Sequence, residues 1–288
     1  MERMGVAFLG DMAPEDFVDC AILAEQLGYE SVWMAEGRCG DQFSILTACA
    51  LATETIQLGT CITSVFVRSP TTIGMAACTV DHFSKGRFLL GVGSDHRAQV
   101  GPMHGGTYSQ PMQRLKETVE IVRELLQEGV VRDYSGDVLD IEFYDLWFEP
   151  YRNRIPIYVA GVQQKMLEMA GAIGQGAMPT WHTVEMAKQA RAWVNNGAES
   201  VGKHANDVDL AQMIPCYAGE DADLARNRMR YRAAFKIYML PRYRKMMSES
   251  GFDTEVTSVL SSYTKGDIHE AAALVPDALL SKFGLVGS

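Results

Sequence analysis

Glu36 follows the apolar run Ser31–Ala35 directly and is flanked by Gly37, which puts a carboxylate at the end of a strand. There it can accept hydrogen bonds from a ligand or take part in proton transfer. It can equally close a structural ion pair with Arg38 or Arg68. A second donor-rich stretch, Gly93-Ser94-Asp95-His96-Arg97-Ala98-Gln99, follows the run Phe88–Val92. An imidazole titrates near neutrality, so His96 can give a proton to a reduced product, or simply hydrogen-bond a ligand or the backbone. Cys61-Ile62-Thr63-Ser64 leaves a third run, Ile56–Thr60, as an irregular turn of small groups. Two neighbouring buried strands that open into Gly/Ser/Thr-rich loops offer a resting place for a flat ligand. Gly161-Val162-Gln163-Gln164-Lys165 opens a helix, where free N–H groups and the dipole favour a phosphate. That signal is weak by itself, because any strand-to-helix turn begins similarly. His104, in the loop that follows, is a candidate for the substrate entrance, and Trp181 and His182 for a lid or pocket.

The elements that must position these groups alternate between strand and helix with short connections, the signature of a parallel α/β fold. Strands are expected at Gly5–Leu9, Ser31–Ala35, Ile56–Thr60, Phe88–Val92, Ile157–Ala160, Ala177–Met178 and Val208–Pro215. Helices are expected at Ala13–Leu27, Gln42–Thr53, Thr71–His82, Gln110–Gln127, Lys165–Ile173 and Thr183–Val201, the first closed by Gly28 as a C-cap. Residues 129–154 break the rhythm and read as a β-hairpin insertion before the fifth strand. Beyond Asp221 the chain is helix-rich, and its Met239, Tyr243, Met246 and Met247 read as core.

Composition narrows the function. The 288 residues carry a net charge of −10, which argues against nucleic acid, since binding phosphates along a backbone needs a basic face. The basic cluster between Arg226 and Lys245 reads as a solvated helical face or as a docking site for an anionic group. The apolar runs fall far short of the ~20 residues that cross a bilayer, so no membrane partner and a cytoplasmic location are expected. Six cysteines contain no C-x-x-C pair and no ligand spacing with histidine, so no metal site is expected.

Together, Leu58-Gly-Thr-Cys-Ile-Thr-Ser-Val-Phe-Val-Arg-Ser-Pro70, Gly86-Arg-Phe-Leu-Leu-Gly-Val-Gly93 and Pro156–Gly171 resemble the luciferase-like family of flavin and deazaflavin oxidoreductases. They look most like its coenzyme F420 branch, typified by methylenetetrahydromethanopterin reductase. The resemblance spans about Val6 to Gly287. It implies an α/β fold, a (β/α)8 TIM barrel forming a single domain over residues 1–288. Seven strands are recognisable, and the last strand and helix of the family pattern are missing.

The resemblance further implies that F420, or alternatively FMN, lies across Glu36, Cys61, Ile62, Thr63, Ser64, Gly93, Ser94, Asp95 and Gln99. Its phosphate would sit against Gly161, Val162, Gln163, Lys165 and Met166. Relatives have a non-prolyl cis peptide where Cys61–Ile62 stands. Many also carry an acidic residue followed by histidine after the second strand; Gly37 replaces that histidine, which counts against alcohol oxidation and leaves cofactor binding intact. His96 and Glu36 are then the catalytic candidates for hydride transfer to or from a small organic substrate. FMN-dependent monooxygenation, or a non-catalytic flavin-binding protein with a shortened barrel, are the alternatives. Relatives commonly associate through helices of the first half, so a homodimer through the second and third helices is expected, the third being apolar on more than one face.

Overall fold

The computed structural model describes residues 3–10, 12–263 and 268–287. The chain divides into two compact units, one of residues 1–178 and 193–211, the other of 179–192 and 212–288.

In the first unit the strands are β1 (Gly5–Phe8), β2 (Ser31–Met34), β3 (Gln57–Thr60), β4 (Thr63–Ser64), β5 (Phe88–Gly93), β6 (Val130–Ser135), β7 (Asp140–Asp145), β8 (Ile157–Ala160), β9 (Gly176–Met178) and β10 (Asp209–Leu210). Its helices are α1 (Pro14–Gln26), α2 (Gln42–Ala52), α3 (Pro70–Phe83), α4 (Arg97–His104), α5 (Pro111–Glu128) and α6 (Gln164–Ile173), and the chain changes unit within α7 (Val184–Ser200). The main sheet is parallel, in the order β1-β2-β3-β5-β8-β9-β10, and β4 joins β5. These are the seven strands expected, in sequence order, as right-handed βαβ connection requires.

The sheet curls until Arg3, just before β1, pairs with Asp209 of β10 at 3.0 Å. Its interior is filled by large side chains. Trp33 and Tyr158 meet edge to face at 5.3 Å, and Tyr158 donates its hydroxyl to Asp209 at 3.0 Å. Gly59 makes room for the indole, because a Cβ there would stand 2.2 Å from Trp33 Cε3. Outside, Ile73, Ala77 and Val80 of α3 are fully buried within the protomer, so much of the apolar surface read on that helix is already used.

Caps explain the helix starts. Asp41 accepts the Ser44 N–H at 2.8 Å to begin α2, and Ser69 accepts the Thr72 N–H before Pro70 begins α3. The insertion is a hairpin, β6 pairing antiparallel with β7 through Val131↔Tyr144 and Tyr134↔Ile141.

Two local expectations are corrected. His104 lies not in a loop but at the last residue of α4, a helix disguised in sequence by Gly101 and Pro102. The strand expected over Val208–Pro215 is a two-residue ladder, Asp209–Leu210, with one isolated bridge at Met213. Pro215 has no N–H to extend it.

The second unit holds β11 (Cys216–Ala218) and β12 (Leu285–Gly287), which pair parallel, and α8 (Ala222–Met239), α9 (Pro241–Met247), α10 (Asp253–Tyr263), α11 (Ile268–Ala273) and α12 (Asp277–Phe283). Tyr243, Met246 and Met247 are buried core, as read, while Met239 at the end of α8 is only half-buried. Among the described residues no helix is long and apolar enough to cross a membrane.

Candidate functional site

The C-terminal ends of β2, β3 and β5 bring most of the singled-out residues together. After Thr60 the peptide between Cys61 and Ile62 is cis. The chain then returns to the sheet, Thr63 opposite Val92 and Ser64 opposite Gly93. Cys61 is fixed by its N–H to the Met34 carbonyl at 2.8 Å, and burial pushes its thiol up to about 12, so it behaves as packing. Ile62 lies against Gly93; a Cβ at Gly93 would stand 2.8 Å from Ile62 Cγ1 and 3.3 Å from the Ala160 Cβ. Glycine at position 93 therefore makes room for the Ile62 side chain between the strand ends.

Glu36 meets this turn from β2. Its Oε2 accepts the Ser64 N–H at 2.8 Å and the Thr63 hydroxyl at 3.0 Å, while Oε1 accepts Arg68 Nε at 2.6 Å. Of the two arginines that sequence offered as partners, Arg68 is the one engaged.

Past β5, Asp95 adopts a left-handed backbone (φ 54°), uncommon for a residue with a side chain. Its Oδ1 accepts the His96 N–H at 2.7 Å, its carbonyl accepts the Tyr108 hydroxyl at 3.4 Å, and its carboxyl also bonds the Ser64 side chain. Burial pushes its pKa above the ordinary aspartate value, against the pull of those donors, and the charge of Glu36 adds to the rise. That perturbed carboxyl is the feature sequence did not disclose, because it arises from three-dimensional burial. His96 is the N-cap residue of α4, partly buried, and Gln99 lies in the first turn of that helix.

Beside Ala160, the Gly161–Lys165 segment enters α6. Gln163 provides no side-chain cap, and Lys165 is exposed at the helix start. Met166 is buried and packs beneath Gly161, whose Cβ would meet Met166 Cγ at 2.7 Å. Helix N-termini without a capping acceptor, next to a lysine, suit a phosphate. Trp181 and His182, offered as lid or pocket, are buried in the second unit, where the Lys236 ammonium lies 5.8 Å from the Trp181 ring. An open groove lined by Leu126, Trp147 and Tyr151 lies at the opposite end of the sheet, since neighbouring Arg152 donates to the carbonyl of Phe88, the first residue of β5. Among the described residues no cluster of three or more His, Cys, Asp or Glu side chains could hold a metal ion.

The chain has relatives among known proteins. The 5,10-methylenetetrahydromethanopterin reductase of Archaeoglobus fulgidus is 29% identical over 99% of this chain and 86% of its own. The coenzyme F420-dependent tetrahydromethanopterin reductase of Methanopyrus kandleri superposes with a TM-score of 0.88 at 23% identity, over 99% of this chain and 86% of that one. An F420-dependent secondary alcohol dehydrogenase, solved with an F420–acetone adduct, reaches 0.80 at 21% identity, over 100% and 86%. The last two likenesses concern the fold. The model of the luciferase-like monooxygenase family matches residues 3–288, and the chain belongs to that family.

Proposed function

We propose that this protein is an F420-dependent oxidoreductase that moves a hydride between the deazaflavin and a small organic substrate. The observation that carries the reading is the joining of Glu36, Cys61–Ser64 and Gly93–Asp95 into one wall at the ends of β2, β3 and β5. Similarity over 98% of the chain, at 25% identity, to a putative coenzyme F420-dependent oxidoreductase of Mycobacterium tuberculosis supports F420 over FMN. The residues present fit such a group: Gly93 lets Ile62 pack closely against β5 in the wall, and the uncapped start of α6 with Lys165 suits its phosphate.

The deazaflavin, when bound, supplies the hydride chemistry. The protein's share is position and protons. Thr63, Ser64 and Ile62 form the wall for the ring, and Val162, Gln163 and Lys165 take the phosphate. At the end of β5, Asp95 Oδ2 or the His96 ring holds the proton that accompanies the hydride. Asp95 is favoured because burial raises its carboxyl pKa above the ordinary aspartate value, the direction that suits a proton donor.

The test is a spectrum of the cofactor that purifies with the protein, followed by turnover of reduced F420 or FMN with alkenes, imines and carbonyls. F420 with turnover supports the reading, FMN with oxygen consumption supports monooxygenation, and a bound chromophore without turnover supports a binding protein. The homodimer is proposed through α2 and α3, where Leu51 and Met75 remain exposed; a monomer by light scattering at micromolar protein overturns it.

A further inference from the structure

Arg68 lies four residues beyond Ser64, and its side chain is only 21% exposed. One arm of the guanidinium donates to Glu36 at 2.6 Å, another to Asp41 at 2.5 Å, and its Cζ lies over the Phe43 ring, 5.1 Å from the centre. A planar fork between two carboxylates fixes direction as well as charge, which an ammonium does not. Glu36 in turn accepts three bonds across its two oxygens, two from the turn and one from Arg68. The carboxylate thus ties the turn to the guanidinium. Ser64 passes the constraint on, because its backbone N–H is held by Glu36 while its side chain bonds the Asp95 carboxyl.

We propose that Arg68 is a positioning residue: acting through Glu36 as an anchor, it fixes Thr63 and Ser64, and with them the ring-facing wall of the cofactor site. The inference rests on the F420 reading only for the identity of the cofactor.

The experiment titrates oxidised F420 against wild-type protein, Arg68→Met, Arg68→Lys, Glu36→Gln, the Arg68→Met/Glu36→Gln double variant and Asp41→Asn, following deazaflavin fluorescence, with melting curves alongside. Arg68→Met and Glu36→Gln are each expected to weaken binding about tenfold, and the double variant no further, since residues acting as one unit are not additive. Arg68→Lys should recover part of the loss. Asp41→Asn removes the α2 cap and the outer arm of the clamp but leaves the Glu36 bonds to the turn, so it should melt earlier and weaken binding less than Arg68→Met does. Additive losses in the double variant overturn the proposal. So does wild-type affinity in a folded Arg68→Met, or an Asp41→Asn loss as large as that of Arg68→Met. If Arg68→Met does not fold, Arg68→Lys with Glu36→Gln supplies the cycle. If wild-type protein binds FMN and not F420, the cofactor reading falls, and the same cycle run with FMN still decides the clamp.

Discussion

Ser64 is held by Glu36 at one end and holds Asp95 at the other: its backbone N–H reaches Glu36 Oε2 at 2.8 Å, and its side chain bonds the Asp95 carboxyl. One buried serine thus separates two carboxyl groups with unlike surroundings. Glu36 faces a guanidinium and two further donors, whereas Asp95 is half-buried with no such cation on it among the described residues and the charge of Glu36 nearby. Of the two, Asp95 is the carboxyl whose pKa is pushed up, which makes it the candidate to carry a proton.

Asp95→Asn is therefore expected to lower turnover by about a hundredfold or more while keeping the cofactor. The folded pKa of Asp95 is raised, so the rate of a step that uses its proton falls as pH rises through that pKa. Stability falls in the same window, because ionising the buried carboxyl is unfavourable, and Asp95→Asn should melt higher than wild type at neutral pH. A pH profile of turnover with paired melting curves checks both. If His96→Gln abolishes turnover and Asp95→Asn leaves it intact, the proton belongs to the imidazole.

The phosphate end can be probed separately. Lys165→Ala should weaken cofactor binding roughly three- to tenfold, the size expected of one exposed cation at a helix start. A bulky residue in place of Val162 should weaken it more, and neither change should alter the melting temperature by more than a degree or two. Unchanged affinity in both would send the phosphate elsewhere.

Much of this was legible in sequence because strand-to-helix alternation is a local signal. The seven strands of the main sheet could be ordered from apolar runs and their turns, and the hairpin at 129–154 from a break in that rhythm. Glu36 could be placed at a strand end, but the choice between Arg38 and Arg68 needed the fold, because Arg68 lies 32 positions away. The role of Asp95 was hidden for the same reason: burial is a property of the assembled wall. Helix α4 was missed because Gly101 and Pro102 are poor helix formers that tertiary packing overrides. The parallel pair β11–β12 joins segments almost seventy residues apart, beyond any periodicity.

Arg152 and Asp81 support the opposite end of the sheet. Asp81 is 1% exposed, and Arg152 binds it through Nε at 3.0 Å and Nη2 at 2.8 Å while also donating to the Phe88 carbonyl at 2.6 Å. Arg152→Met leaves a buried carboxylate without its counter-charge and should cost about 3–5 kcal/mol in urea unfolding. Asp81→Asn combined with Arg152→Met should recover part of that loss. If the single variant unfolds with the wild type, the pair contributes nothing to stability.

Glu117 supplies the last expectation. It lies buried on α5 and accepts Gln113 Nε2 at 2.7 Å, the Asp137 N–H at 2.8 Å and the Val138 N–H at 3.1 Å, tying the hairpin turn to the helix. Burial alone would raise its pKa, but these donors outweigh it and hold the carboxyl below the ordinary glutamate value. A depressed folded pKa adds stability that is present above the unfolded pKa and is lost as pH falls through the folded one. Glu117→Gln should thus be less stable than wild type at pH 7, by about 1.5–3 kcal/mol for bonds to a charged acceptor. The difference should shrink as the solution is acidified below the glutamate range. Urea midpoints measured from pH 7 to pH 3 check it: a gap that stays constant across that range would mean that the hairpin is held by shape alone, through Ile121, Leu125 and Val131, and not by the charge on Glu117.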